Sequence, residues 1–170
     1  MIPLSVPNLT GNESKYLKEC IDSGWISSAG SFVNKFENSI KSYVDSKRAI
    51  ACMNGTVGLH TALNVLGVNS HDMVLTTNLT FVATLNSIMY SGAEPILFDI
   101  DLDTWQIDID LIEEWLSKNS YQTDEKGKIV CRHLKTKQKI AAIIPVHVLG
   151  GLVDMNKLID LSKKYNIPVI

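Results

Sequence analysis

"RAIACMNGTVGLHTALNVLG", residues 48–67, decides the fold. An apolar run over 48–53 leads into Asn54-Gly55-Thr56, and a helical pattern begins at once, with Leu59, Ala62, Leu63 and Leu66 on one side. The run reads as a buried strand and Gly67 as a helix stop. The same beat recurs downstream. "MVLTT" (73–77) is a strand and "TFVATLNSIMYSG" (80–92) a helix closed by glycine. "EPILFDI" (94–100) is a strand, and "IDIDLIEEWLSKN" (107–119) carries a helix. "IAAIIPV" (140–146) is a strand, and "DMNKLIDLSKKYN" (154–166) a helix with Met155, Leu158 and Ile159 inward. "IPVI" then starts a further strand. Strands alternating with helices predict an α/β fold, a mostly parallel sheet with helices on both faces. The strands are continuous apolar runs, as burial on both faces requires.

Two segments stand outside the rhythm. Upstream, "NESKYLKECIDSG" (12–24) reads as a helix ended near Gly24, and "SFVNKFENSIKSYV" (31–44) places Phe32, Val33, Phe36 and Ile40 on one helical face. Residues 118–139 are polar, with an apolar patch at Ile129-Val130, and read as an exposed insertion that forms a hairpin. The last strand has no successor, so the expectation is the front part of a longer protein.

The 170 residues are 45% hydrophobic and 20% charged, a globular balance with room for a large core. A net charge of −2 makes no electrostatic case for nucleic acid or an anionic membrane. No apolar stretch reaches the roughly 18–20 residues of a membrane span. The N-terminus does not read as a signal peptide. Cys20, Cys52 and Cys131 are scattered, fit neither a disulfide framework nor a zinc site, and point to a reducing cytoplasm.

Ligands of open parallel sheets sit beyond the carboxyl ends of the strands. Asn54-Gly55-Thr56 is expected at such an end, where a helix N-terminus offers backbone N–H groups and partial positive charge to a phosphate. Gly55 lets the backbone approach an anion, and Thr56 adds a hydroxyl donor. The same triplet also serves as a plain helix cap. It is neither a Walker A loop nor G-x-G-x-x-G, which counts against nucleotide-sugar oxidoreductases of the dinucleotide-binding type. Phe81 opens the next helix, in its first turn; it is either an aromatic platform for a flat ring or a core residue. His147 follows a buried strand, ahead of Gly150-Gly151, and is either a site residue or structural. Trp25, Ser27 and Ser28 lie in a small-residue loop that either lines a polar-ligand pocket or packs down. Asp99, Asp101 and Asp103 lack the glycine and terminal glutamate of a calcium loop and read as turn and cap residues, so no metal is expected.

"IDSGWISSAG", "NGTVGLHTAL", "TFVATLNSI", "EPILFDIDLDTWQID" and "IIPVHVLGG", in this order, resemble the DegT-type sugar aminotransferases, a branch of the fold-type-I pyridoxal-phosphate enzymes. The resemblance implies that residues 1–170 are the N-terminal portion of the cofactor-binding large domain. It implies that Gly55, Thr56 and the Val57 N–H hold the phosphate of pyridoxal 5'-phosphate and that Phe81 stacks on its ring. Trp25, Ser27, Ser28 and His147 become substrate-side candidates. The 118–139 segment looks similar to the longer variant of relatives that aminate nucleotide-linked 4-keto-6-deoxy sugars for surface glycans. The implied partners are a nucleotide sugar, an amino donor such as glutamate, and a second copy in a homodimer. The family's acidic motif and Schiff-base lysine come after "IPVI", beyond Ile170; Lys163 and Lys164 precede that strand and do not match. A non-catalytic truncated chain or binding module, and a sugar dehydratase using the same cofactor, are the alternatives.

Overall fold

The computed structural model describes residues 6–170, so the first five residues of the N-terminal stretch read above lie outside the described residues. Two compact units divide between Ala51 and Cys52. The first holds α1 (Glu13–Ser23) and α2 (Ser31–Tyr43). Gly24 closes α1 with a left-handed backbone, φ 73°. The rings of Tyr16 and Phe32 meet at 5.1 Å, yet neither helix has a buried residue, and Phe36 and Ile40 of the expected apolar face are exposed. Two helices alone form no layer deep enough to cover such a stripe.

The second unit runs through α3 (Gly55–Val65), β1 (Met73–Thr77), α4 (Val82–Tyr90), β2 (Glu94–Phe98), α5 (Ile109–Asn119), β3 (Ser120–Glu125), β4 (Lys128–His133), β5 (Ile140–Ile144) and α6 (Met155–Tyr165). β1, β2 and β5 form a parallel sheet in the order β2-β1-β5. Alternation along the strands divides the core. Met73 and Leu75 of β1 and Ile140 and Ile143 of β5 pack with Ile112 and Leu116 of α5 and Leu158 and Leu161 of α6. Val74 and Ala142 face the other way, onto Leu63 of α3 and Ile88 of α4. The sheet thus carries helices on both faces. Full burial of side chains such as Ile112 and Leu116 contributes about 1.5–3 kcal/mol each.

Four expectations are corrected. Residues 48–53 form no strand: among the described residues they join no sheet ladder, and side chains take up backbone groups instead, the Ala51 N–H donating to Glu37 Oε1 at 2.9 Å and Arg48 O accepting from the Ser46 hydroxyl at 2.9 Å. In α6 the inward residue is Leu161, while Ile159 is exposed, because the stripe steps from 158 by three rather than one. Phe81 is the extended N-cap of α4, one residue ahead of its first turn. The 118–139 segment contains an antiparallel hairpin, β3–β4, and part of it is core: Cys131 packs with Leu116 and Ile140, and Asn166 at the end of α6 donates its side-chain N–H to Ile129 O. The final strand begins to pair, with Ile143 donating to Pro168 O and Ile170 to Ile143 O.

Candidate functional site at the carboxyl edge of the sheet

α3 leads into β1 through a short connection, so the two run in opposite directions. An 11-residue helix is about 16 Å long. A five-residue strand is also about 16 Å. The start of α3 therefore lies at the level where β1 ends. α4, which follows β1, starts at that edge too, and α3 packs beside α4 with the His60 and Tyr90 rings 6.1 Å apart.

The first turn of α3 is built by Asn54, an extended N-cap whose side-chain oxygen accepts the Val57 N–H at 3.0 Å. This changes the expected role of Val57: its amide is committed to the cap, and the N–H groups of Gly55 and Thr56 are the ones left without an acceptor among the described residues. A Cβ placed on Gly55 or on Gly58 meets no atom within 4 Å. Internal packing therefore does not require either glycine, although glycine in a helix costs about 0.5–1 kcal/mol relative to alanine. A close approach from outside the chain is the use that remains, and the open space above Gly55 with two adjacent amides fits a phosphate.

Phe81 is 77% exposed, which removes the core reading. Behind it, Asn78 ties two strand ends together: its N–H donates to Phe98 O at 2.9 Å and its side chain to Asp99 Oδ1 at 3.1 Å. The Ile100 N–H and then the Asn78 amide hold the Asp99 carboxyl below the usual carboxylate range. Asp101 is lowered in the same sense by the Thr104 N–H and hydroxyl, closing a turn. No three acidic, histidine or cysteine side chains among the described residues are placed to hold a metal.

His147 follows β5, exposed, and its Nδ1 accepts the Val153 N–H at 3.2 Å. The turn after it is tight, with Leu149 at φ 52° and Gly150 at φ 83°. A left-handed leucine costs on the order of 1–2 kcal/mol. Gln106, from the connection after β2, braces that turn although sequence reasoning passed over it. Thus Gly55, Thr56, Phe81 and His147 are gathered at one edge of one unit. In the other unit, Trp25 and Ser27 line a small cleft of about 70 Å³ with Cys20 and Phe32, and Ser28 is not part of its lining.

A family model described as the DegT/DnrJ/EryC1/StrS aminotransferase family matches residues 7–170. GDP-perosamine synthase of Escherichia coli O157:H7 is 38% identical over 169 residues, 99% of this chain and 41% of that protein. GDP-perosamine synthase of Vibrio cholerae is 35% identical over 100% of this chain and 41% of its own. Among solved structures, an aminotransferase from Psychrobacter cryohalolentis superposes with a TM-score of 0.79 at 29% identity, over 98% of this chain and 38% of that one. NtdA of Bacillus subtilis with bound cofactor PMP gives 0.75 at 28% identity, over 92% and 31%. The chain spans about two fifths of the length of these curated relatives.

Proposed function

The chain belongs to the DegT/DnrJ/EryC1/StrS aminotransferase family, and from that premise we propose that it is the cofactor-binding part of an enzyme that transfers an amino group to a nucleotide-linked keto sugar. The observation that carries the reading is the first turn of α3, where Gly55 leaves open space and two amides stand unpaired beside the Thr56 hydroxyl. These residues would hold the phosphate of pyridoxal 5'-phosphate, with Phe81 against its ring and His147 on the substrate side. When bound, the cofactor supplies the electron sink for moving the amino group. The protein's share is position and electrostatics: the helix end neutralises the phosphate, and the exposed aromatic limits where the ring can lie.

The names of two relatives, both GDP-perosamine synthases, support a nucleotide-linked sugar; that sugar is proposed to be a 4-keto-6-deoxy sugar destined for a surface glycan, with an amino donor such as glutamate. The proposed setting is a homodimer in the cytoplasm. None of the helices among the described residues is long and apolar enough to cross a membrane. The lysine that would bond the cofactor is assigned to sequence beyond Ile170, and Trp25, Ser27 and Ser28 to the sugar-nucleotide side. The decisive experiment is Thr56→Val in the full-length enzyme. A hydrogen bond to a charged group contributes about 1.5–3 kcal/mol, so retention of pyridoxal phosphate, read from its near-visible absorbance, falls about ten-fold or more. Unchanged retention, or a full-length protein that acquires no such band, overturns the assignment.

A further inference from the structure

Gln106 is an uncharged side chain, 4% exposed, in a connection whose neighbours Leu102 and Trp105 are exposed. Its side-chain N–H group donates to Thr104 O at 3.1 Å and to Val148 O at 3.3 Å, and its oxygen accepts the Val148 N–H at 3.1 Å. Both backbone groups of Val148 are therefore held by one side chain from a segment 42 residues away. Val148 directly follows His147 and opens the turn that contains left-handed Leu149. The turn also bonds within itself, Val148 N–H to Val146 O, Gly150 N–H to His147 O and Gly151 N–H to Val148 O, and a left-handed leucine inside it keeps its shape only when the surroundings over-determine it. Gly151 completes the arrangement: a Cβ there would stand 2.7 Å from Gln106 Nε2 and 3.2 Å from Val148 O.

His147 stands at the start of this turn. Its Nδ1 accepts the Val153 N–H, so the neutral ring carries its proton on Nε2. That contact closes a loop of seven residues, His147–Val153, and its geometry depends on the path of the chain between them, which the Gln106 clamp holds at Val148.

Resting on the aminotransferase reading of the same edge, we infer that Gln106 is a positioning residue: it holds the 147–151 turn so that His147 stays in the Nε2–H form and presents one hydrogen-bond donor to an oxygen of the bound sugar nucleotide. Gln106 itself touches no ligand.

The test is nitrogen NMR of the full-length enzyme with labelled histidine, the His147 signal being assigned by its loss in His147→Gln. The wild type shows a single Nε2–H tautomer. Gln106→Met keeps the volume and removes all three hydrogen bonds, and the signal moves to a mixture of tautomers. Gly151→Ala, which forces the carboxamide aside while leaving Gln106 in place, produces the same drift. In both variants KM for the keto sugar rises several-fold while cofactor retention is unchanged. A wild-type ring protonated on Nδ1, or tautomer populations unchanged in the folded variants, overturns the inference. The tautomer is read without cofactor, so failure here is distinct from failure of the aminotransferase reading, which shows as loss of cofactor binding.

Discussion

The side-chain oxygen of Asn54 accepts a hydrogen bond from the backbone N–H of Val57 at 3.0 Å, and this bond divides the amides at the start of α3 into one that serves the fold and two that do not. Replacing Asn54 with alanine removes the cap. Such losses cost about 0.5–2 kcal/mol. Denaturant melts of Asn54→Ala are expected to show a lowered midpoint with an unchanged slope. An unchanged midpoint would mean that the first turn is held by something other than its cap.

Gly55→Ala separates the needs of the fold from those of a ligand. The added methyl meets nothing within 4 Å, and alanine is the better helix residue by about 0.5–1 kcal/mol. The variant is expected to melt slightly later than the wild type. In the full-length enzyme it binds pyridoxal phosphate more weakly, because the methyl occupies the path by which a phosphate nears the amides. Later melting with undiminished cofactor binding would place the phosphate elsewhere.

Much of this architecture is legible in the sequence, because most of it follows from local pattern. β5 is an unbroken apolar run and β1 opens with one, both are buried at every position, and α5 shows its Ile112–Leu116 stripe at helical spacing. The failures occur where a segment's state depends on something distant. The run over 48–53 has a strand's composition, but among the described residues no sheet ladder forms along it. The hairpin's Cys131 sits in a polar stretch and is buried by α5 and β5, which reach it only after folding. Gln106 gives no local sign of its role, since its partner Val148 arrives 42 residues later. Phe81 and His147 are legible as candidates because each closes a strand end, whereas their exposure had to be seen.

Gly151 is expected to tolerate no side chain. Gln106 Nε2, 2.7 Å from the would-be Cβ, lies at the end of a flexible chain, and such an atom normally moves aside cheaply. Here it is buried and held by both sides of its carboxamide, and Val148 O stands close as well. Overpacking of this kind costs about 1–3 kcal/mol. Gly151→Ala should therefore lower the melting midpoint, and because Gly151 is extended at φ −69°, a backbone that alanine adopts freely, the loss reports the clash alone. An unchanged midpoint would show that the carboxamide gives way and does not restrict position 151.

Cys131 supplies a pH dependence whose sign is determined by burial. The thiol is 1% exposed, and burial raises its pKa against a smaller lowering from the Ser120 hydrogen bond. In the unfolded chain a cysteine ionises near its ordinary value of about 8.5. The folded protein keeps the proton over the interval above that value, so the unfolded state binds fewer protons there and gains stability relative to the fold. The contribution is thus intact below about pH 8.5 and is lost as pH rises from there through the higher folded value. Melting midpoints measured from about pH 8 to 9.5 should fall in the wild type and flatten in Cys131→Ala, below the range where tyrosine and lysine ionise. At neutral pH a small alkylating reagent should modify Cys131 only as fast as the domain opens, because the thiolate is both disfavoured and enclosed. Rapid labelling of Cys131 in the folded protein, at a rate independent of denaturant, would show that the hairpin does not seal the core against α5 and β5.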